Sequence, residues 1–187
     1  MPAGRSGGSF FGGAADRLFL GAFAEVSEAK LLAEYGQRVR DQYRLKGKLQ
    51  TSDRLHVTLQ HFGDGRGLPP ELIAGVTAIG RGVEMAPFLV EFDRVRTFGR
   101  GAFAFTGGDG ATGLHLLQQR IAAALRKVGL GQIVDDSYTP HMTILHDSRR
   151  IAEHPINPIR WWVREFVLVH SHLGQTRYDF LARFPLR

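Results

Sequence analysis

The five residues at 55–59, LHVTL, return 85 positions later at 140–144 as PHMTI, so one word, His-x-Thr followed by an aliphatic residue, occurs twice. A composition like this one gives roughly 0.06 copies by chance, and two copies in about two chains per thousand. Both copies lie in short alternating runs rich in β-branched residues, the pattern of a strand. Successive strand side chains project to opposite faces. His56 and Thr58 therefore share one face while Val57 and Leu59 pack into the other, and His141 and Thr143 stand likewise against Met142 and Ile144. The fold has to supply two strands, each with one apolar face and one face carrying an imidazole beside a hydroxyl.

The surroundings of the two words agree. In the first half, the apolar run RLFLGAFA at 17–24 reads as a strand, and 27–43 follows as a helix with Leu31, Leu32, Tyr35 and Val39 at helical spacing. A polar loop at 45–53 leads to the first motif strand, 55–62, closed by Gly63-Asp64-Gly65. Pro69-Pro70 opens a helix reaching about 82, with Leu72, Ile73, Val76 and Ile79 on one side and Gly75 and Gly80 weakening it. A hairpin, 87–99 and 102–107, then turns at Gly99-Arg100-Gly101. The helix 114–128 carries the stripe Leu117, Ile121, Ala124, Leu125 and Val128, and the second motif strand spans 137–145. A polar, proline-containing connection is expected at 147–158, then strands at 161–172 and 177–184. Strand, helix, H-x-T strand followed by strand pair, helix, H-x-T strand suggests an internal duplication.

Composition bounds the rest. With 187 residues, 43% hydrophobic and 22% charged, the chain can bury the core of one globular domain or of two small lobes. No apolar run approaches the roughly 18 residues of a membrane helix. Residues 1–15, MPAGRSGGSFFGGAA, have too short and glycine-broken an apolar part for a secretory signal and read as a disordered leader to a domain over 16–187. The absence of cysteine excludes disulfides, thiolate zinc sites and a thiol nucleophile, and a cytoplasmic location is expected. A net charge of +6 suits an anionic partner such as nucleic acid or a phosphate ester. It equally suits ordinary solubilising charge, because the basic residues are not concentrated.

Two imidazoles and two hydroxyls at one centre suit displacement at phosphorus. Imidazole titrates near neutrality, at about 6.5, so one of the pair can act as base while the other acts as acid. In-line attack needs a proton removed from the entering oxygen and one supplied to the leaving oxygen, each transfer being worth ~10²–10⁴-fold. Thr58 and Thr143 can donate to the non-bridging oxygens. No metal is needed for these roles, and no cofactor is expected.

Other candidates are weaker. His61 and His146 lie five residues beyond the motif histidines, which in an unbroken strand turns them to the opposite face. His170-Ser171-His172 has a spacing used by zinc sites, but no carboxylate or third histidine stands at a confirming distance in sequence. His115 and His154 read as surface residues. The glycine-rich GGDGATG at 107–113 lacks the Lys-Ser/Thr ending of a phosphate loop and reads as a hairpin-to-helix connection.

These residues carry a resemblance. RLFLGAF, RLHVTLQHFGD, YTPHMTILHD and the tail FVLVHSHLGQTRYDFLARFPL resemble the 2H phosphoesterases, specifically the 2'-5' RNA ligase or RNA 2',3'-cyclic phosphodiesterase branch, over about 17–187. The resemblance implies an α+β bilobal, duplicated fold with two antiparallel sheets facing a central cleft and helices outside. It implies metal-free opening of an RNA terminal 2',3'-cyclic phosphate to a 2'-phosphate, with His56 as proton donor, His141 as proton acceptor, and Thr58 and Thr143 binding the phosphate. Role exchange would allow the reverse ligation. Expected partners are RNA ends or small cyclic nucleotides, with the chain acting as a monomer. The chain departs from the family where Phe-Leu-Gly often follows the first motif, having His61-Phe62-Gly63, and where an Arg often follows the second, having His146 with Arg149 and Arg150 further on. A phosphodiesterase for another cyclic or 2',5'-linked nucleotide, and a non-catalytic RNA-binding module, are the rival readings.

Overall fold

The run DRLFLGAF forms β1 (Asp16–Phe23), and because both of its faces are apolar it takes an interior place, between β2 (His56–Gly65) and β7 (Glu165–His172). The computed structural model describes residues 15–187. Residues 1–14, nearly all of the expected leader, lie outside the described residues. Ala15 belongs to the folded part: its N–H donates to the Gly65 carbonyl at 2.7 Å and its carbonyl accepts from Leu173 N–H at 2.8 Å.

The remaining elements are α1 (Val26–Gln42), α2 (Pro70–Arg81), β3 (Phe88–Phe98), β4 (Ala102–Thr106), α3 (Thr112–Lys127), β5 (His141–His146), β6 (His154–Val163) and β8 (Arg177–Pro185). The eight strands form one sheet in the order β6-β3-β4-β5-β2-β1-β7-β8, every pairing antiparallel. The two sheets of the sequence reading are thus one. They are joined at a seam where β2 and β5 share a single register pair, Val57 with Met142.

Leu18, Leu20, Val57, Leu59, Phe103, Phe105 and Met142 from the sheet share one continuous core with Leu32 and Val39 of α1, Val76 of α2, and Leu114, Leu117, Ile121 and Leu125 of α3. All three helices therefore cover one sheet face. Three stripe residues fall outside it: Leu31 is 65% exposed, Val128 58% exposed and Ala124 half-buried, while Ala29, Gly36 and Ala122 face inward. A helix against a flat sheet needs small residues at its line of contact, which a pattern of large apolar residues does not register.

The second motif strand starts at His141 and not at 137, and two larger differences from the sequence reading lie beyond it. The connection expected at 147–158 ends in strand: β6 starts at His154 and includes Pro155 and Pro158. As an edge strand with an irregular register opposite Phe92–Arg94, it tolerates prolines that an inner strand would not. The single strand expected at 161–172 divides at Arg164, β6 pairing with β3 and β7 with β1 at opposite sides of the sheet. GGDGATG is a connection into α3 containing one 3₁₀ turn, as read.

The loop before the first motif is clamped to the second. Asp147, just beyond β5, accepts the backbone N–H of Lys46 at 2.6 Å and of Gly47 at 2.9 Å, and Gln50 N–H donates to the Ile144 carbonyl at 2.8 Å. A Cβ at position 47 would stand 2.1 Å from the His146 carbonyl oxygen, a backbone atom that cannot swing away. Gly47→Ala is expected to lower unfolding free energy by about 1–3 kcal/mol, read from denaturant midpoints; an unchanged midpoint would remove this clamp from the account.

Candidate active site

Val57 and Met142 point into the helix-covered core, so the antiparallel register about this pair sets His56 toward Thr143 and Thr58 toward His141 on the opposite face. The structure thus brings together the four residues singled out by the repeated word.

Each word ends on a bulge. Along β1 and β2 the partners run Leu20 with Gln60 and then Gly21 with Thr58, leaving Leu59 unopposed; along β4 and β5 they run Phe103 with Leu145 and then Ala104 with Thr143, leaving Ile144 unopposed. Both extra residues are buried. A bulge inverts the alternation beyond it, so His61, opposite Phe19, and His146, opposite Ala102, return to the motif face. This corrects the expectation that they face away, which assumed unbroken strands. His61 Nε2 lies 2.8 Å from Asp64 Oδ1, and Asp64 also takes a bidentate pair from Arg17 at 2.6 and 2.7 Å. The Arg17 guanidinium, helped by His61, holds the Asp64 carboxyl down at about 2. His146 is exposed.

The two motif imidazoles are held in the same way. His56 Nδ1–H donates to the Arg54 carbonyl at 2.7 Å, and His141 Nδ1–H donates to the Thr139 carbonyl at 2.8 Å, each two residues upstream. That fixes the tautomer and leaves both Nε2 atoms as acceptors. His56 Nε2 is 3.2 Å from the Thr58 hydroxyl.

Aromatic rings enclose each imidazole. His56 stacks on Phe19 at 4.8 Å and on Phe23 at 5.2 Å between ring centroids, with Tyr178 edge-on at 5.6 Å. Gly21 lies between the two phenylalanines on the same face, where a Cβ would stand 3.0 Å from the Phe19 ring and 3.3 Å from the Phe23 ring. The glycine lets both rings close on the histidine. Arg54 lies over the Tyr178 ring at 4.4 Å. His141 stacks on Phe98 at 4.6 Å, and the Arg96 guanidinium lies over the same ring at 4.1 Å from its centroid.

These surroundings disfavour the imidazolium. Burial brings His56 down to about 4, and the charges of Arg54, His141 and Arg17 push the same way against the Arg54 carbonyl bond. His141 is lowered too, by burial first and then by Arg96. Near pH 7 the free protein presents two neutral imidazoles.

Sequence reasoning missed Phe19, Phe23, Arg54, Tyr178, Arg96 and Phe98. The positions 19, 21 and 23 are alternate residues of one strand, so Phe-x-Gly-x-Phe was legible as a face. Nothing local said that it faced His56. Of the remaining histidines, His115 packs edge-on to Tyr138 and His154 bonds the Tyr43 hydroxyl, both away from the seam. His170 and His172 project to the other sheet face, in register with Leu18 and Asp16.

Comparison with known proteins bears on the fold and the family. No curated protein matches the chain by sequence. Among solved structures, E. coli LigT in complex with 3'-AMP superposes with a TM-score of 0.73 at 19% identity, over 92% of this chain and 98% of that one. E. coli LigT in complex with ATP gives 0.72 at 19% identity over the same shares. TT0787 of Thermus thermophilus gives 0.73 at 23% identity, over 91% of this chain and 98% of that one. At these identities the likeness is one of fold. The model of the 2'-5' RNA ligase superfamily matches residues 28–175, a span that includes both motif strands, and the chain belongs to that superfamily of 2H phosphoesterases.

Proposed function

We propose that the protein opens 2',3'-cyclic phosphates at RNA ends, leaving a 2'-phosphate, by acid/base catalysis between His56 and His141. The observation that carries this reading is the common mounting of the two imidazoles. Both are tethered through Nδ1–H to a carbonyl two residues upstream, which leaves Nε2 as the acceptor, at His56 beside the Thr58 hydroxyl at 3.2 Å, and the β2–β5 register sets the threonine of the other word across the seam. Water attacks phosphorus in line with the 3'-oxygen, and His141 Nε2 takes the water proton as the new P–O bond forms. The P–O3' bond breaks while His56, as imidazolium, delivers its Nε2 proton to O3'. Thr58 and Thr143 donate to the non-bridging oxygens. If a 5'-hydroxyl replaces water, the same transfers give a 2',5' linkage.

The depressed His56 value bears on the acid role. In the free protein His56 is neutral, so it takes up its proton from solvent as the substrate binds: the phosphate anion beside Nε2 offsets the burial that disfavours the cation. The matching bulges after each word support the reading that the halves on either side of the seam are copies of one unit facing a common cleft. The described residues contain no helix long and apolar enough to cross a membrane, and we take the chain as a cytoplasmic monomer. The ATP and 3'-AMP held by LigT favour a second reading, in which the same pair acts on a small cyclic or 2',5'-linked nucleotide.

Incubation in EDTA with an oligonucleotide ending in a 2',3'-cyclic phosphate is expected to give the 2'-phosphate, with His56→Ala and His141→Ala each slower by at least ~10²-fold. Undiminished turnover in either variant would sink the two-histidine mechanism, and binding without turnover by the wild type would favour the non-catalytic module. The pH dependence follows from the direction of both shifts. Since His56 and His141 are lowered from about 6.5, the bell-shaped kcat/KM profile should have its maximum on the acid side of that value. The kcat profile, which reports the complex, should move to higher pH as bound phosphate favours the imidazolium. A kcat/KM maximum well above neutrality contradicts this electrostatic account.

A further inference from the structure

On the sheet face turned away from the motif residues, His170 and His172 of β7 meet Asp16 of β1, 154 positions from His170 in sequence. The carboxylate that the sequence did not place near this His-x-His pair is therefore supplied by the fold. Among the described residues, these three side chains form a group whose ligating atoms all lie within 4.8 Å of one another. They are 15–17% exposed, enclosed but reachable.

We infer that Asp16, His170 and His172 bind a divalent transition-metal ion of the zinc class. Asp16 Oδ1 lies 2.6 Å from His170 Nε2 and 4.0 Å from His172 Nδ1. Donors about 2.1 Å from a tetrahedral ion stand roughly 3.4 Å apart, so the observed separations bracket the required one and need only small side-chain rotations. The supporting contacts are those a metal ligand requires. His172 Nε2–H donates to Asp179 Oδ2 at 2.7 Å, which leaves Nδ1 with its lone pair toward Asp16, and Asp179 is itself held by Arg177 at 2.8 and 3.0 Å. The second Asp16 oxygen, Oδ2, accepts the Gly67 N–H at 2.7 Å, which presents Oδ1 to the cluster. The His170 and His172 rings lie side by side, 3.9 Å apart between centroids, with their ligating nitrogens within 4.8 Å of each other. On binding, the metal takes the place of the His170 Nε2 proton, which moves to Nδ1. With two nitrogens and one oxygen and no sulfur, the set suits zinc, cobalt or nickel over calcium or magnesium. The ion would tie the start of β1 to the β7–β8 hairpin and plays no part in the reaction proposed for the motif face.

The test uses the full chain without an affinity tag, stripped with EDTA and moved to chelator-free buffer. Titration with Zn²⁺ in a calorimeter is expected to give one ion per chain. Co²⁺ should give the visible absorption of a low-coordinate ion, displaced by equimolar Zn²⁺. His172→Ala and Asp16→Asn should weaken Zn²⁺ binding at least tenfold, and Asp179→Asn, which supports the ligand without touching the ion, by about tenfold or more. Wild-type melting temperature should rise with Zn²⁺, and phosphodiesterase activity in EDTA should survive in the His172 variant. Should a variant fail to fold, the wild-type ring nitrogens decide: His170 Nε2 and His172 Nδ1 must shift in NMR on adding Zn²⁺ while those of His56 and His141 stay. Absence of one-to-one binding, unchanged affinity in the folded variants, or loss of binding in His56→Ala, His141→Ala protein instead would overturn the site.

Discussion

One register pair, Val57 with Met142, joins the two halves of the sheet, and the chemistry proposed for the motif face depends on it. Because both residues point into the core, their neighbours in sequence point out of it, and the antiparallel arrangement sets each histidine across from the other word's threonine. The pair is also the narrowest part of the sheet. Its burial under α1, α2 and α3, and the clamp from the 46–50 loop to the end of β5, hold it closed. A slip of one residue in either strand at this point would turn that strand's histidine and threonine into the core.

The electrostatics of the motif face suit the anionic substrate proposed for it. Arg17, Arg54 and Arg96 surround two imidazoles that are themselves kept neutral, so the positive field comes from groups that do not titrate. The histidines remain free to exchange protons. Aromatic packing serves the same end: Phe19, Phe23 and Phe98 cover faces of the imidazole rings, while the Nδ1 bonds to the main chain leave each Nε2 as an acceptor.

Much of this was legible in the sequence, for identifiable reasons. Strand alternation is a local property, so the common face of His56 and Thr58, and of His141 and Thr143, followed from spacing alone. The failures share a cause in long-range pairing. His61 and His146 were misassigned because a bulge depends on the partner strand; the division at Arg164 depends on which neighbours β6 and β7 find; and Asp16 joins His170 only through the β1–β7 register. The small residues that let α1 and α3 lie close to the sheet carry no periodic signal of their own.

The hydrogen bonds from His56 to the Arg54 carbonyl and from His141 to the Thr139 carbonyl have a consequence for mutational robustness. The partner that selects each tautomer is main chain, so the determinant is not encoded by any side chain and survives nearly every replacement at positions 54 and 139. What must be preserved is the local path of the backbone. At the second word Pro140 restrains that path directly, by its fixed φ and by the extended conformation it imposes on Thr139, whereas at the first word Leu55 does so only through its burial in the core. The two halves of the site therefore differ in tolerance: the first is open to change by substitutions elsewhere in the core, and the second is insulated from them.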